Sequence, residues 1–131
     1  MPRIYHPEGE KPPRLPALVF VFGSNLEGHH SGGAAGIARD EFKAERGVGK
    51  GRTNMAYAIP VKSGHQTLSL AAIGENVREF LAYADANPSL TFYLVRVGCG
   101  QAGYADAQVA PLFARAGVNC VFSEKWKHWL D

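Results

Sequence analysis

The sequence predicts an α/β domain in which helices cover a sheet. Apolar stretches of strand length alternate with amphipathic stretches of helix length, the order that produces layered α/β domains. Residues 17–22 (Ala-Leu-Val-Phe-Val-Phe) are continuously apolar, as expected for a strand buried on both faces. Glycines cluster in two stretches, residues 23–36 and 98–103, and each stretch follows a predicted strand.

The other elements follow from periodicity and from capping residues. Strands are predicted at residues 17–22, 55–61, 91–97 and 118–122, and helices at residues 34–42, 68–87 and 106–116. Ser31 is a candidate cap of the first helix and Gly47 its stop, whereas Thr67 or Ser69 caps the second helix and Pro88 follows its end. Residues 47–54 are predicted to form a polar loop, and Pro60 to close the second strand at its edge.

Residues 1–16 differ in composition from the rest of the chain. They hold five of the eight prolines and little apolar periodicity. They are therefore predicted to form an extended arm that is ordered by docking on the domain or on a partner. Residues 17–131 form the predicted domain, and the 131 residues of the chain suffice for one core.

Composition indicates which classes of partner to expect and which cellular compartment suits the cysteines. The chain has no run of 18 apolar residues and no signal-peptide pattern at its start, so no membrane partner is expected. Cys99 and Cys120 are interpreted as free thiols in a reducing cytoplasm. A net charge of +2 does not support a nucleic-acid partner, although it leaves one open. No cofactor is expected, and His29 and His30 are adjacent, which does not suit a shared metal ion.

The glycine clusters predict a phosphate-binding site. Ligands of open α/β sheets bind beyond the carboxyl ends of the strands, where helix N-termini offer free N–H groups. Glycines allow the backbone to approach phosphate oxygens. Residues 98–103 satisfy GxGxxG by letter, but no acidic residue stands about 20 positions further on to bind a ribose. The alternative interpretation is a pair of tight strand-to-helix turns.

Three segments together resemble the macrodomain family. Gly23-Ser24-Asn25 followed by Ser31-Gly32-Gly33-Ala34-Ala35 is similar to its first phosphate loop, and residues 96–104 (Arg-Val-Gly-Cys-Gly-Gln-Ala-Gly-Tyr) are similar to its second. Residues 58–62 (Ala-Ile-Pro-Val-Lys) resemble the strand that ends in the catalytic lysine of the branch removing ADP-ribose from glutamate or DNA bases. This chain also resembles short bacterial and phage proteins that share the same three segments. The resemblance implies a three-layer α/β/α fold with a mostly parallel or mixed central sheet.

The same resemblance implies a ligand, ADP-ribose or an ADP-ribosylated conjugate, and a set of site residues. Lys62 would lie near the anomeric carbon of the distal ribose, and Asn25 would face that ribose. The implied ligand-binding residues are Gly23, Ser24, Asn25, Ser31, Gly32, Gly33, Ala34, Gly98, Cys99, Gly100, Gln101, Ala102, Gly103 and Tyr104.

One departure from the family pattern bears on catalysis. In the hydrolase branch an acidic residue follows the Gly-Cys-Gly by two positions, where this chain has Ala102. A lysine nucleophile needs an acid–base partner, and Glu27 or Asp106 would have to replace that acid. The sequence thus leaves two functions open, binding of ADP-ribose without turnover and ADP-ribosyl glycohydrolysis through Lys62. A third is an interaction module for nucleic acid or protein, using the arm and the segment around Trp126 and Trp129.

Overall fold

A computed structural model describes residues 2–131 and contains one seven-stranded mixed sheet. The strands are β1 (Ile4–His6), β2 (Leu18–Asn25), β3 (Gly51–Thr53), β4 (Ala56–Ser63), β5 (Gln66–Thr67), β6 (Thr91–Leu94) and β7 (Cys120–Ser123). Their order is β1-β7-β6-β2-β4-β3, and β5 pairs with β4 as well. The pairs from β1 to β4 along this order are parallel, and β3 and β5 are antiparallel to β4.

Helices lie on both faces of this sheet, which confirms the predicted α/β class. They are α1 (Gly33–Phe42), α2 (Leu70–Asp85), α3 (Asp106–Val109) and α4 (Lys127–Leu130), with 3₁₀ turns at Ala110–Phe113 and Glu124–Trp126. Alternate side chains of β2 enter two separate cores. Phe20 and Phe22 pack with Phe42 of α1, whereas Val19 and Val21 pack with α2 on the opposite face.

The N-terminal arm docks on the domain and supplies a strand that the sequence did not reveal. Residues Ile4–His6 pair with β7 at the edge of the sheet. His6 is buried, stacks on Tyr93 with ring centroids 4.0 Å apart, and its Nε2 lies 2.7 Å from the Leu94 carbonyl oxygen. The Arg3 guanidinium donates to the carbonyls of Ala114 and Ala116. A strand of three residues, within the four that separate Pro2 from Pro7, shows too little pattern to be predicted.

Several predicted boundaries and caps are wrong. Ser31 does not cap α1, because the N-cap is Gly32, which makes no side-chain hydrogen bond. The helix ends at Phe42, and its C-cap is Lys43 in the left-handed region (φ 63°) rather than Gly47. Pro60 lies inside β4 instead of closing it. On this edge of β4, the pairing with β3 ends at Ala58 and the pairing with β5 begins at Lys62. Pro60 lies between the two pairings, so its missing N–H removes no hydrogen bond to either strand.

The region predicted as one polar loop contains β3, and β5 also went unpredicted. Both are strands of two or three residues, which are too short to show a periodicity.

Ser69 caps α2, which confirms one of the two predicted alternatives: its Oγ accepts from the Ala72 N–H at 3.1 Å. The third predicted helix is shorter than expected, because it becomes a 3₁₀ turn that contains Pro111.

Candidate functional site

A cleft of about 380 Å³ opens where β2, β4 and β6 end. Its volume lies within the usual range of small-molecule sites. Most of the predicted site residues line it. These are Gly23, Ser24, Asn25, Ser31, Gly32, Gly33, Ala34, Lys62, Gly98, Gly100, Gln101 and Ala102. The two glycine stretches therefore meet at one edge of the sheet.

The first wall of the cleft is the start of α1. The N–H groups of Gly33, Ala34 and Ala35 have no acceptor within residues 2–131, as expected for the first turn of a helix. Gly33 has a left-handed φ of 56°, and a Cβ at Gly32 or Gly33 would meet no atom within 4 Å. The backbone here is open to a ligand, and the helix dipole favours an anion.

The second wall is the loop after β6. The N–H groups of Gly100, Gln101 and Ala102 also lack an acceptor in the part of the chain that the structure describes. The loop is closed by its own hydrogen bonds, from Gly103 N–H to Gly100 O and from Tyr104 N–H to Gly98 O, both 3.0 Å long. Two sets of unpaired N–H groups thus line one cleft, a combination that suits phosphate oxygens.

The glycines where the two walls meet are in close contact. A Cβ on Gly23 would lie 3.4 Å from Val61 Cγ2 and 3.6 Å from the Gly98 nitrogen. Gly98 itself has a φ of 80°, which a side chain would strain. The end of β2 thus lies at van der Waals distance from the second loop, and the backbone conformation favours glycine at Gly98.

Both polar atoms of the Asn25 side-chain amide form hydrogen bonds with the loop that follows β2. Its Oδ1 accepts from the His29 N–H at 2.8 Å and its Nδ2 donates to the His29 carbonyl at 3.0 Å. The Gly28 N–H closes the same turn onto the Asn25 carbonyl at 3.0 Å, and Gly28 has a φ of 74°. His29, which the sequence did not single out as a ligand contact, is exposed and lines the cleft.

Lys62 is carried by the hairpin of β4 and β5, which contacts both glycine loops. The Leu26 N–H donates to the Lys62 carbonyl at 2.9 Å, and Glu27 accepts from the Gly64 N–H at 2.7 Å. On the other side, Thr67 Oγ1 donates to the Ala102 carbonyl at 3.1 Å. Within residues 2–131 no carboxylate lies within ion-pair distance of Lys62 Nζ. Its ammonium group is therefore free to meet an anionic ligand.

Arg96 is held in place by two carboxylates. Its Nη1 lies 2.9 Å from Asp106 Oδ1, and its Nε and Nη2 lie 3.0 Å from Glu8 Oε2. Ser123 Oγ donates to Glu8 at 2.6 Å and Trp126 Nε1 donates to Asp106 at 2.8 Å. Arg96 lines the cleft, but these carboxylates already balance its charge.

Neither acidic candidate occupies the place that the resemblance gives to a catalytic acid. Among residues 2–131, no Asp or Glu lines the cleft. Partial burial raises the pKa of Asp106, but hydrogen bonds from Trp126 and Arg96 outweigh it and hold that pKa below its usual value. The Gly64 N–H similarly lowers the pKa of Glu27. Both groups are thus carboxylates engaged in structure at neutral pH.

Cys99, Gly103 and Tyr104 shape the second loop from outside the cleft lining. Burial, followed by the neighbouring Asp106, raises the pKa of the Cys99 thiol to about 12, which makes it a poor nucleophile at neutral pH. The Tyr104 hydroxyl donates to the Leu68 carbonyl at 2.7 Å. These residues link the loop to the core and to the start of α2.

The segment around the tryptophans is divided between core and surface. Trp126 is fully buried against Phe113 and Phe122, whereas Trp129 is exposed.

Residues 2–131 contain no group of three His, Cys, Asp or Glu side chains placed to hold a metal ion. In the same range no helix has the length and apolar character needed to cross a membrane.

Known proteins resemble this chain in structure rather than in sequence. No family model and no curated protein matches this sequence. The fold is similar to the solved structure of a macrodomain protein from Streptomyces coelicolor, with 16% identity over 87% of this chain and 93% of that chain and a TM-score of 0.48. The basis for a functional assignment is therefore the geometry of the cleft itself.

Proposed function

We propose that this protein binds ADP-ribose or a closely related nucleotide diphosphate in the cleft between its two glycine loops. The strongest support is that both walls of the cleft carry N–H groups without an acceptor, at residues 33–35 on one wall and at residues 100–102 on the other. A diphosphate has oxygens enough to accept from both sets. The adenosine and ribose parts are proposed from the family resemblance of the same loops.

Charge in the cleft favours the same class of ligand. In the part of the chain that the structure describes, its lining contains Lys62 and Arg96 but no carboxylate. An anion entering the cleft therefore meets free N–H dipoles and a lysine without a counter-ion, and no like charge among the lining residues repels it.

Gly32 offers a clean test of binding. Its φ of −158° is extended backbone that any residue adopts, and its Cβ direction is open, so a substitution should leave the fold intact. Gly33 is less suitable because its positive φ would strain any replacement. By calorimetry, Gly32→Glu should weaken ADP-ribose binding at least about tenfold, and Gly32→Gln, of equal size but without charge, should weaken it less. Equal affinity in all three proteins would contradict the proposal.

A second function, ADP-ribosyl glycohydrolysis, is favoured by the presence of Lys62 in the cleft and opposed by the lack of an acid there. If the amine of Lys62 attacks the anomeric carbon, the bond from that carbon to the glutamate carboxylate or the DNA base breaks, and the ribose ring opens to give an imine with Lys62. Borohydride should reduce this imine to a stable adduct that mass spectrometry detects, and Lys62→Ala should remove the adduct. Ala102→Asp should then accelerate turnover, because acid–base assistance is worth about 10²–10⁴-fold. A protein that only binds would show no adduct and no release of ADP-ribose. We favour binding without turnover.

A further inference from the structure

The loop between β2 and α1 contains a histidine whose position is fixed by an asparagine. Asn25 lines the cleft, yet both atoms of its amide group are already bonded to the backbone of His29. An amide oxygen retains one lone pair and the amide nitrogen one hydrogen, so Asn25 has limited capacity left for a ligand.

His29 has the complementary properties. Its N–H and carbonyl are both bonded to Asn25, whereas its imidazole has no hydrogen-bond partner within residues 2–131. The residue is exposed and lines the cleft four positions before the first turn of α1. The next histidine, His30, is oriented the other way: it is buried, packs edge-on against Phe22, and its Nε2 lies 3.1 Å from the Glu45 carbonyl.

The turn that presents His29 packs closely on the segment beneath it. Gly28 has a left-handed φ of 74°, and a Cβ there would overlap the backbone of Gly47 and Val48. The Gly47 N–H donates to the Gly28 carbonyl at 3.0 Å, so the segment beneath supports the turn. A pre-ordered turn spares the ligand the entropic cost of ordering it.

From these contacts we infer that His29 is a ligand-contacting residue and that Asn25 is the positioning residue that holds it in place. The imidazole donates a hydrogen bond to an oxygen of the bound diphosphate, beside the N–H groups of residues 33–35. This inference rests on the proposed function. It differs from the family resemblance, in which the asparagine itself faces the distal ribose.

A double-mutant cycle tests the division of roles. His29→Ala and Asn25→Ala should each weaken ADP-ribose binding about tenfold in calorimetry, since each removes the same charge-assisted contact. The double variant should also lose about tenfold, because Asn25 acts through His29. A loss of about a hundredfold would show that Asn25 contacts the ligand independently and would overturn the inference. Unchanged affinity of His29→Ala would overturn it as well.

A spectroscopic measurement covers the case in which Asn25→Ala fails to fold. In the wild-type protein, the ring signals of His29, assigned by their absence in His29→Gln, should shift on addition of ADP-ribose. Signals that stay unchanged at saturation would contradict the inference. His128→Ala is the matched control, because His128 is an exposed histidine outside the cleft lining, and its affinity should equal that of the wild type. If the wild-type protein does not bind ADP-ribose at all, the proposed function fails. If it binds ADP-ribose and His29→Ala binds equally well, only the inference about His29 fails.

Discussion

The two glycine loops present similar backbone to the cleft but are stabilised in different ways. The first contains a turn that is closed by neutral hydrogen bonds between Asn25 and His29, and Gly28 of this turn packs on the backbone of residues 47–48. The second depends on distant segments, because Arg96 at its base is held by Glu8 from the N-terminal arm and by Asp106, which Trp126 also contacts. The proposed phosphate site therefore rests on a hydrogen-bonded turn on one side and, on the other, on an ion network that joins both ends of the chain.

The largest expected effect comes from removing the arm. Deletion of residues 2–9 eliminates β1, the buried His6 and the Glu8 carboxylate. We expect a loss of at least about 3 kcal/mol in the free energy of unfolding and a melting temperature lower by about 10 °C or more. Leu15→Ser is the control on the same arm, since Leu15 is 56% exposed and its replacement should change stability by less than about 0.5 kcal/mol. Equal melting curves for the truncated and full-length proteins would show that the second loop does not need the arm.

Glycine substitutions should separate the structural from the ligand-facing positions of the first loop. Gly28→Ala combines a positive φ with backbone overlap and should cost about 3 kcal/mol. Gly33→Ala has a positive φ but open space and should cost only about 1 kcal/mol. Urea denaturation of both variants measures the difference. Equal losses would mean that the packing of Gly28 on residues 47–48 contributes nothing.

Much of the fold could be predicted from the sequence, because long elements carry a repeated pattern. The apolar run that begins β2 covers residues 17–22, and the apolar stripe of α2 belongs to a helix of 16 residues. β1, β3 and β5 have two or three residues each, which are too few to show a periodicity. In addition, β1 pairs with β7, which lies near the other end of the chain. Most of the residues predicted for the site meet in one cleft because glycine-rich strand exits of a parallel sheet share an edge.

The side chains that support the site were harder to predict. Asn25 was expected to face a ribose, but its bonds to His29 arise from a turn whose geometry no motif specifies. Glu8 was assigned to an arm, and only the pairing of β1 with β7 brings it to Arg96. Long-range ion pairs of this kind follow from the assembled sheet and not from the pattern around either residue.

A smaller effect should appear at acid pH, where the second loop loses its ion network. Hydrogen bonds from Trp126 and Arg96 outweigh partial burial and keep the pKa of Asp106 below its ordinary value of about 4. The stabilisation is therefore complete above about pH 4 and is lost as the pH falls through the lower, folded-state pKa. Urea denaturation from about pH 5 to pH 2 should show a steeper decline for the wild type than for Asp106→Asn. Parallel declines would contradict a role for this carboxylate in stability.

The smallest effect is expected at Cys99. Because burial and Asp106 raise the pKa of its thiol to about 12, the thiolate is scarce at neutral pH. Iodoacetamide should label Cys99 much more slowly than it labels free cysteine at pH 8, and Cys99→Ser should leave ADP-ribose affinity unchanged. Rapid labelling would show that the second loop opens readily, which a loop anchored by the Arg96 network should not do.

The central claim is that N–H groups of both loops bind one diphosphate. The most direct measurement is a titration of the ¹⁵N-labelled protein with ADP-ribose, followed by NMR of the backbone amides. The amides of Gly33, Ala34, Ala35, Gly100, Gln101 and Ala102 should shift together, with one common midpoint. Shifts confined to one loop, or unchanged amides in both loops at saturating ADP-ribose, would contradict the claim.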